Sequence, residues 1–202
     1  MGTTAPPGIA DTELIKIAWL SANNEHQVFH SLMHHINVDS LRRCFDELNG
    51  KKAVGVDRVS KEDYGRNLQA NLEGLISRIK QMAYRPGPVR QVLIPKEGIP
   101  KAIRPLGISN FEDKLVQKRM QAILESIYEP LFLDWSYGFR PGKNCHDALK
   151  DLHQHLFREE VETIIDVDLE NFFGTIDHKI LEDLLRSKNQ GYEVYALYPS
   201  DV

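Results

Sequence analysis

The sequence predicts an α+β fold that is rich in helices and contains one β-hairpin and one further strand. Apolar residues recur at helical spacing in several segments. Residues 89–109 alternate apolar and polar side chains on both sides of a turn that contains glycine and proline, and residues 161–169 form a short β-branched run. Strands and helices that follow one another in this way indicate an α/β or α+β domain, of which we expect the α+β class.

The first three helices are predicted from their apolar faces and their end signals. We expect the first ten residues to be disordered and a helix to begin near Asp11. A second helix lies within 37–50 and ends at its Asn-Gly pair, and a third covers 60–82, where Ser60 and Asp63 have the spacing of a capping box. The predicted apolar faces are Leu14, Ile17 and Ala18; then Leu41, Cys44, Phe45 and Leu48; then Leu68, Leu72, Leu75, Ile76 and Ile79.

The later elements follow from caps, prolines and alternation. The hairpin at 89–109 carries basic side chains, and the helix after it is capped by Asn110 and closes before Pro130. The remaining predicted elements are a loop at 136–144, a capped helix at 144–157, the strand at 161–169, a helix at 177–187 with Asp177 as its N-cap, and a strand-like segment in 191–202.

The composition indicates an ordinary globular protein. The chain has 202 residues, of which 42% are hydrophobic and 27% charged. Its two cysteines, Cys44 and Cys145, are too few for a disulfide scaffold and too far apart for a zinc site. Nothing approaches the run of about 18 apolar residues that a membrane span needs. We therefore expect a soluble cytoplasmic protein without a membrane partner, and the oligomeric state stays open.

The charges are segregated along the chain, although the net charge is only −4. Between Arg78 and Arg104 every charged residue is basic except Glu97, whereas between Glu159 and Asp183 nearly every one is acidic. Such a chain could bind a polyanion with one part and divalent cations with another. The alternative is two oppositely charged faces that are merely solvated.

Two pairs of residues are candidates for chemistry. Asp166 and Asp168 point to the same face of the predicted strand, and carboxylates at a strand end suit Mg²⁺. Lys96 and Arg104 flank the hairpin turn, where two cations could hold one anion. The alternatives are the solvated end of a strand and exposed cations at a turn.

Five segments in order resemble the N-terminal reverse-transcriptase motifs of group II intron-encoded proteins. The segments are AVGVDRVS (53–60), YRPGPVRQVLIPKEG (84–98), RPLGISNFEDKLVQ (104–117), SYGFRPGKNCHDAL (136–149) and DVDLENFFGTIDH (166–178). The resemblance covers about Leu41 to Ser187. It implies the fingers of a right-hand polymerase and the start of its palm.

The resemblance also implies roles for single residues. Asp168 matches the first catalytic, metal-binding aspartate, with the backbone carbonyl of Leu169 as a further Mg²⁺ ligand. Phe173 matches the aromatic residue under the incoming sugar, and Lys96 and Arg104 match the cations that hold the dNTP triphosphate. Asp166 matches no catalytic position, and Phe172 is then expected in the core.

Further residues are expected to contact nucleic acid. The loop residues Tyr137, Gly138, Phe139 and Arg140 match a segment near the template, although a purely structural turn is the alternative for this loop. Arg85 and Arg90 belong to the basic fingers surface that could hold RNA. Two positions depart from the usual family pattern, namely Gly174 in place of Asp and Arg58 in place of Gly.

The predicted organisation has four parts. They are a flexible N-terminus and first helix at 1–24, the fingers region at 25–160, a first palm segment at 161–188 and a divergent tail at 189–202. The glutamine-glycine motif and the tyrosine-x-Asp-Asp hairpin of the family are not found in the sequence, so we expect a truncated chain that is inactive alone.

Three functional hypotheses remain open at this stage. The first is an RNA-directed DNA polymerase of group II intron type, with an RNA template or intron RNA, a DNA primer, dNTPs and Mg²⁺. The second is a non-catalytic RNA-binding module that assists intron splicing. The third is an inert product of a decaying gene.

Overall fold

The computed structural model describes residues 12–95, 98, 103–158 and 161–190, and they form an α+β fold. The helices and strands of these residues are α1 (Thr12–Asn23), α2 (Val38–Glu47), α3 (Lys61–Gly65), α4 (Leu68–Lys80), β1 (Arg90–Pro95), β2 (Ile103–Ile108), α5 (Phe111–Tyr128), α6 (Cys145–Arg158), α7 (Phe172–Thr175) and α8 (His178–Lys188). Short 3-10 turns lie at Met33–His35 and Glu129–Leu131.

The described residues divide into two compact units. The first unit contains residues 12–29 and 124–190, and the second contains residues 30–123. Helix α5 contributes its residues up to Ile123 to the second unit and the rest to the first. This division differs from the predicted four parts, whose functional boundaries remain a prediction.

The core of the second unit is formed largely by the apolar faces that the sequence predicts. Leu41 and Cys44 of α2 are buried, and burial raises the pKa of the Cys44 thiol. Helix α4 packs against α2. The buried apolar side chains of α4 and of the first part of α5 are Leu72, Leu75, Ile76, Ile79, Phe111, Leu115, Val116 and Ile123.

The prediction of a single helix over 60–82 is wrong. The structure has two helices in this range, α3 and α4. The capping box of Ser60 and Asp63 is present at the start of α3. The interruption follows Gly65, whose missing side chain lets Phe45 approach closely. The Asn71 side chain donates to the Tyr64 carbonyl at 2.8 Å, so a side chain satisfies this group at the interruption.

The buried Asp113 carboxylate joins α5 to the segment before the hairpin. Asp113 is 4% exposed. It accepts a hydrogen bond from the Tyr84 hydroxyl at 2.6 Å and another from the Gly87 backbone N–H at 3.0 Å. Both donors would be left without this acceptor if the carboxylate were removed, so the position of the 84–87 segment depends on Asp113.

Asn110 holds a second segment against the start of α5. Its side-chain oxygen accepts from the backbone N–H of Val56 at 3.0 Å and of Asp57 at 3.4 Å. The Asn110 side chain therefore fixes the 53–57 loop. The sequence had predicted Asn110 only as the cap of the helix that follows it. A Cβ atom on Gly55 would lie 2.6 Å from the Asn110 Cα atom, so only glycine fits at this close approach.

Glu112 makes a third connection from the same turn. It forms an ion pair with Arg78 of α4 at 2.7 Å and accepts from the Tyr64 hydroxyl of α3 at 3.2 Å. Burial and the Glu112 carboxylate raise the pKa of Tyr64, so this phenol stays a proton donor at neutral pH. The first turn of α5 and the Asn110 residue before it thus contact helices α3 and α4, the 53–57 loop and the 84–87 segment.

The predicted β-hairpin is confirmed. Strands β1 and β2 pair antiparallel, from Arg90 opposite Ile108 to Pro95 opposite Ile103. Most of the turn between the strands, including Lys96, lies outside the described residues.

The first unit is held together by contacts between distant parts of the chain. The Ser21 hydroxyl of α1 donates to the Ile127 carbonyl at 2.6 Å. The Phe29 backbone pairs with the end of α8 in a short parallel bridge to Asn189. The buried apolar side chains of this unit are Leu14, Ile17, Ala18, Phe29 and Ile127.

Two of the predicted helix caps in this unit are confirmed, but the predicted strand is not. Asn144 accepts from the Asp147 N–H at the start of α6, and Asp177 accepts from two N–H groups at the start of α8. Residues 161–169 form no strand, and they pair with no other described segment. The apolar side chains of this alternating segment therefore do not form a buried face. Ile165, for example, is 83% exposed. Among the described residues, no helix is long and apolar enough to cross a membrane.

We predict that Asp113→Ala destabilises the protein by about 2 to 4 kcal/mol, because it leaves the buried Tyr84 hydroxyl and the Gly87 N–H without their acceptor. Urea unfolding monitored by circular dichroism measures this change. Asp46→Ala, which removes an exposed carboxylate of α2, is the matched control and should stay within about 0.5 kcal/mol of the parent. Equal effects of the two substitutions would contradict the assigned role of Asp113.

A pair of glycine substitutions tests the close approach at Asn110. Gly55→Ala should cost about 1 to 3 kcal/mol, because its methyl group would collide with the Asn110 backbone. Gly74→Ala lies in α4 with open space around the new methyl group, and it should stabilise the protein by up to about 1 kcal/mol. Thermal unfolding midpoints measure both. A Gly55→Ala variant as stable as the parent would show that the loop can move away from Asn110.

Candidate functional site

The hairpin places two predicted cations on one of its faces. In the observed register Arg90 lies opposite Ile108 and Arg104 lies opposite Ile94, so both arginines belong to the same alternating set. Ile94, which marks the position of Arg104 along the hairpin, lies four positions after Arg90. The two arginines are therefore roughly 13 Å apart along the strand direction. Both arginines are exposed. The hairpin therefore presents a positive charge at each end of one face, a spacing suited to an extended polyanion.

Arg85 adds a third exposed cation, but part of its guanidinium is used by the backbone. Its Nη1 atom donates to the Met82 carbonyl at 3.0 Å and to the Tyr84 carbonyl at 2.8 Å. Carbonyl groups do not neutralise the charge, so Arg85 still contributes to the positive field of the segment before the hairpin.

Arg140 lies in a buried ion pair. Its Nε and Nη2 atoms donate to the Glu129 carboxylate at 3.0 and 2.9 Å, and its Nη1 atom donates to the carbonyls of Leu133 and Ser136. The side chains of Arg140 and Glu129 are only 8% and 9% exposed, and the guanidinium also lies over the Phe132 ring. All three nitrogens of the guanidinium are thus occupied within the protein. These contacts favour the structural role for Arg140, and its contact with nucleic acid stays a prediction.

Tyr137 is held in place by neighbours within the same loop and helix. Its hydroxyl donates to Asp151 of α6 at 2.9 Å, and this hydrogen bond raises the pKa of Tyr137. The Lys143 ammonium lies 4.9 Å from the centre of its ring. Phe139, by contrast, is fully exposed and has a φ of 57°, a left-handed conformation that costs energy for a residue with a side chain. The loop therefore has a fixed base and presents one aromatic ring to solvent.

Asp168 and its neighbours lie in the exposed 161–173 segment. Asp168 and Asp166 are both exposed, as is Leu169. Phe172 and Phe173 contact each other edge to face, with ring centres 5.3 Å apart. Phe173 is 76% exposed, and Phe172 is also exposed rather than in the predicted core position. An exposed aromatic ring beside an acidic segment could stack against a sugar or a base.

The residues around Asp168 do not make a complete magnesium site. Among the described residues, no three carboxylate, histidine or cysteine side chains are grouped so that they could hold a metal ion. A single aspartate and a carbonyl oxygen leave most of the coordination of Mg²⁺ to other groups.

Sequence reasoning missed the partners that position these residues. Glu129 precedes a proline and carries no motif signal, yet it holds Arg140. Asn110, Glu112 and Asp113 stand within a matched motif, but only the structure shows what they hold. Asn110 was predicted only as a helix cap, and the one sequence signal of Glu112 and Asp113 is an acidic first helical turn, which also occurs in helices without such contacts.

Comparison with known proteins identifies the class to which these segments belong. Residues 94–189, which contain part of the hairpin, the 136–144 loop and Asp168, match the family described as reverse transcriptase (RNA-dependent DNA polymerase). These residues thus belong to a reverse-transcriptase domain.

The relatives identify the branch within this class. The group II intron-encoded protein LtrA of Lactococcus lactis subsp. cremoris is 33% identical over 87% of this chain and 29% of its own length. The uncharacterized 91 kDa protein in the cob intron of Schizosaccharomyces pombe is 38% identical over 58% of this chain, and the putative COX1/OXI3 intron 2 protein of Saccharomyces cerevisiae is 35% identical over 60%. The chain belongs to the group II intron reverse transcriptase and maturase family. It spans 29% or less of the length of these three relatives.

We predict that Arg140→Met destabilises the protein by about 3 to 5 kcal/mol, because it leaves the buried Glu129 carboxylate unpaired. The thermal unfolding midpoint measures the loss. Arg158→Met removes an exposed arginine at the end of α6 and should change the stability by less than about 0.5 kcal/mol. If Arg140→Met were as stable as Arg158→Met, the ion pair would not be what fixes the 136–144 loop.

Proposed function

We propose that this chain is an RNA-binding part of a group II intron type RNA-directed DNA polymerase. The chain contributes the fingers and the first palm segment of that enzyme. The observation that carries the proposal is the exposed basic face of the hairpin, where Arg90 and Arg104 stand at opposite ends of one side. This face lies partly within the residues that match the reverse-transcriptase family. Its partners are an RNA template or intron RNA, and in the whole enzyme also a DNA primer and dNTPs.

The proposed roles of the site residues follow the family pattern. Asp168 is the first catalytic carboxylate and, with the backbone carbonyl of Leu169, a ligand of Mg²⁺. Phe173 lies under the incoming sugar, while Lys96 and Arg104 hold the triphosphate of the dNTP. Arg85 and Arg90 contact nucleic-acid phosphates, and Tyr137 lies near the template. The exposure of Asp168, Phe173 and Arg104 is compatible with these roles.

The 202-residue chain alone is proposed to be inactive as a polymerase. Phosphoryl transfer depends on cations that neutralise the charge developing between the phosphates, and these cations need several carboxylates. In this sequence only Asp168 matches a metal-binding position of the family. One carboxylate would leave the phosphates and their cations in a site with too little negative charge to hold the ions.

The second candidate function is a non-catalytic RNA-binding module that assists intron splicing. The same basic hairpin face favours it, because phosphate binding by exposed arginines requires no metal site. The three relatives are named as intron proteins, which suits a partner RNA of this kind.

We predict that the chain binds RNA in a salt-dependent manner and extends no primer. Filter binding at increasing salt concentration should give a steep slope of log affinity against log salt. The double variant Arg90→Glu and Arg104→Glu should lower this slope by about two and weaken binding at every RNA sequence tested. The double variant Lys16→Glu and Arg158→Glu changes the net charge equally at exposed positions of α1 and α6, and should bind RNA nearly as the parent does.

Primer extension in Mg²⁺ or Mn²⁺ tests the catalytic half of the proposal. No template-dependent incorporation is expected from the chain alone. Incorporation that disappears in Asp168→Ala would overturn the proposed inactivity while confirming the role of Asp168. Equal RNA affinity of the two double variants would overturn the hairpin as the binding face.

A further inference from the structure

The second unit contains a cavity of about 110 Å³ that neither Arg90 nor Arg104 of the hairpin face lines. It lies between the end of α2, the 49–54 segment, the start of α3 and the first turn of α5. None of the residues that line it is among the predicted site residues. Its walls combine three lysines with apolar side chains: Lys52, Lys61, Lys114, Val54, Val59 and Phe111.

The charged side chains that line this cavity are all positive. No acidic side chain lines it, and none of the three lysines forms an ion pair with a carboxylate within the described part of the chain. Asp57 is the acidic group that acts on Lys114 through its charge. Burial lowers the pKa of Lys114, while the neighbouring Arg90 and Lys52 act in the same direction. A bound anion would relieve this repulsion between cations.

Two of the lysines are held in position by backbone groups. The Lys61 ammonium donates to the carbonyls of Leu48 at 2.7 Å and Asp46 at 3.0 Å. The Lys114 ammonium donates to the Ala53 carbonyl at 2.7 Å. Neutral carbonyls fix the ammonium groups without cancelling their charge, and each ammonium retains at least one further donor. The cations are therefore oriented before any ligand arrives, which lowers the entropic cost of binding.

Apart from Asn49, Gly50 and Ser60, the remaining wall of the cavity is apolar. Val54, Val59 and the buried Phe111 contribute side chains without hydrogen-bonding groups. An inorganic anion would satisfy the lysines but would leave this wall in contact with water. A ligand that combines an anionic group with a flat, weakly polar body satisfies both parts of the cavity.

We propose that this lysine-rimmed cavity binds one nucleotide unit, with the phosphate at Lys52, Lys61 and Lys114 and the base against Val54, Val59 and Phe111. That this nucleotide unit belongs to an unpaired RNA strand rests on the proposed RNA-binding function. A free mononucleotide has the same chemistry. Within the cavity, the phosphate supplies charge complementarity and the base supplies apolar contact.

Calorimetric titration with adenosine 5′-monophosphate tests the cavity directly. Val54→Phe fills the cavity without changing the charge and should weaken binding by about tenfold or more, whereas Val56→Phe, at an exposed position that does not line it, should bind as the parent does. Lys52→Met should weaken binding by about threefold relative to Lys51→Met, which removes the same charge from the neighbouring position. Since Lys52 is exposed, its variant keeps the test decisive even if Val54→Phe does not fold.

Parallel titrations with inorganic phosphate, adenosine and an oligoadenylate identify the source of the nucleotide. Tighter binding of the oligonucleotide than of the monophosphate, weakened by Val54→Phe in both cases, supports an RNA strand; binding of the monophosphate alone supports a free nucleotide. Inorganic phosphate that binds as tightly as the monophosphate would overturn the role of the base. Equal affinity of the Val54→Phe and Val56→Phe variants would overturn the cavity as a site.

A hairpin variant separates this proposal from the proposed function. Arg104→Glu should reduce RNA binding and should leave monophosphate binding within about twofold, because Arg104 neither lines the cavity nor is among the charges that act on Lys114. RNA binding by the parent chain without any binding of the monophosphate overturns the cavity site and leaves the proposed function in place. Monophosphate binding that depends on Lys52, without any binding of RNA, would overturn the proposed RNA-binding function and leave the cavity site in place.

Discussion

The hydrogen bonds made by the first turn of α5 are the constraint on which the second unit depends. A buried carboxylate is stable only when donors surround it, and Asp113 obtains two from the 84–87 segment. Asn110 and Glu112 extend the same arrangement to the 53–57 loop and to the helices α3 and α4. The base of the hairpin, the 53–57 loop and the lysine-rimmed cavity therefore share one anchor. Their geometry is set by a few polar groups rather than by the apolar core alone.

Arginines of this chain serve two different physical purposes. Arg90 and Arg104 are exposed and separated along one face, so their charges remain available to a polyanion. Arg140 is buried against Glu129 and two carbonyls, so its charge is used to fix a loop. Burial decides which use applies, because a buried guanidinium without a carboxylate partner is too costly to retain. Sequence position within a motif does not distinguish the two.

Local patterns in the sequence predicted most of the described helices, three of the caps and the hairpin. These features depend on neighbours within a few residues, such as Asp177 with the N–H groups that follow it. The interruption after Gly65 was not predicted, and the close approach of Phe45 from another helix at this glycine is visible only in the structure. The prediction of a strand at 161–169 is wrong for a similar reason. Alternating apolar and polar residues form a strand only where another segment pairs with them. The basic residues of the candidate site were found as a charge pattern, while the lysine cavity depends on contacts between distant segments.

The contact between Ser21 and Ile127 has a consequence for the synthesis of the chain. Helix α1 finds its hydrogen-bonding partner 106 residues later, and the Phe29 backbone finds its partner only at the end of α8. Residues 30–123 can form their own unit during this interval, since its core contacts lie within that range. Helix α1 therefore lacks this partner on the ribosome until the end of α5 has emerged, and Phe29 lacks its own until the end of α8 has emerged. Long-range closure of this kind slows folding and exposes the apolar face of α1 to chaperones.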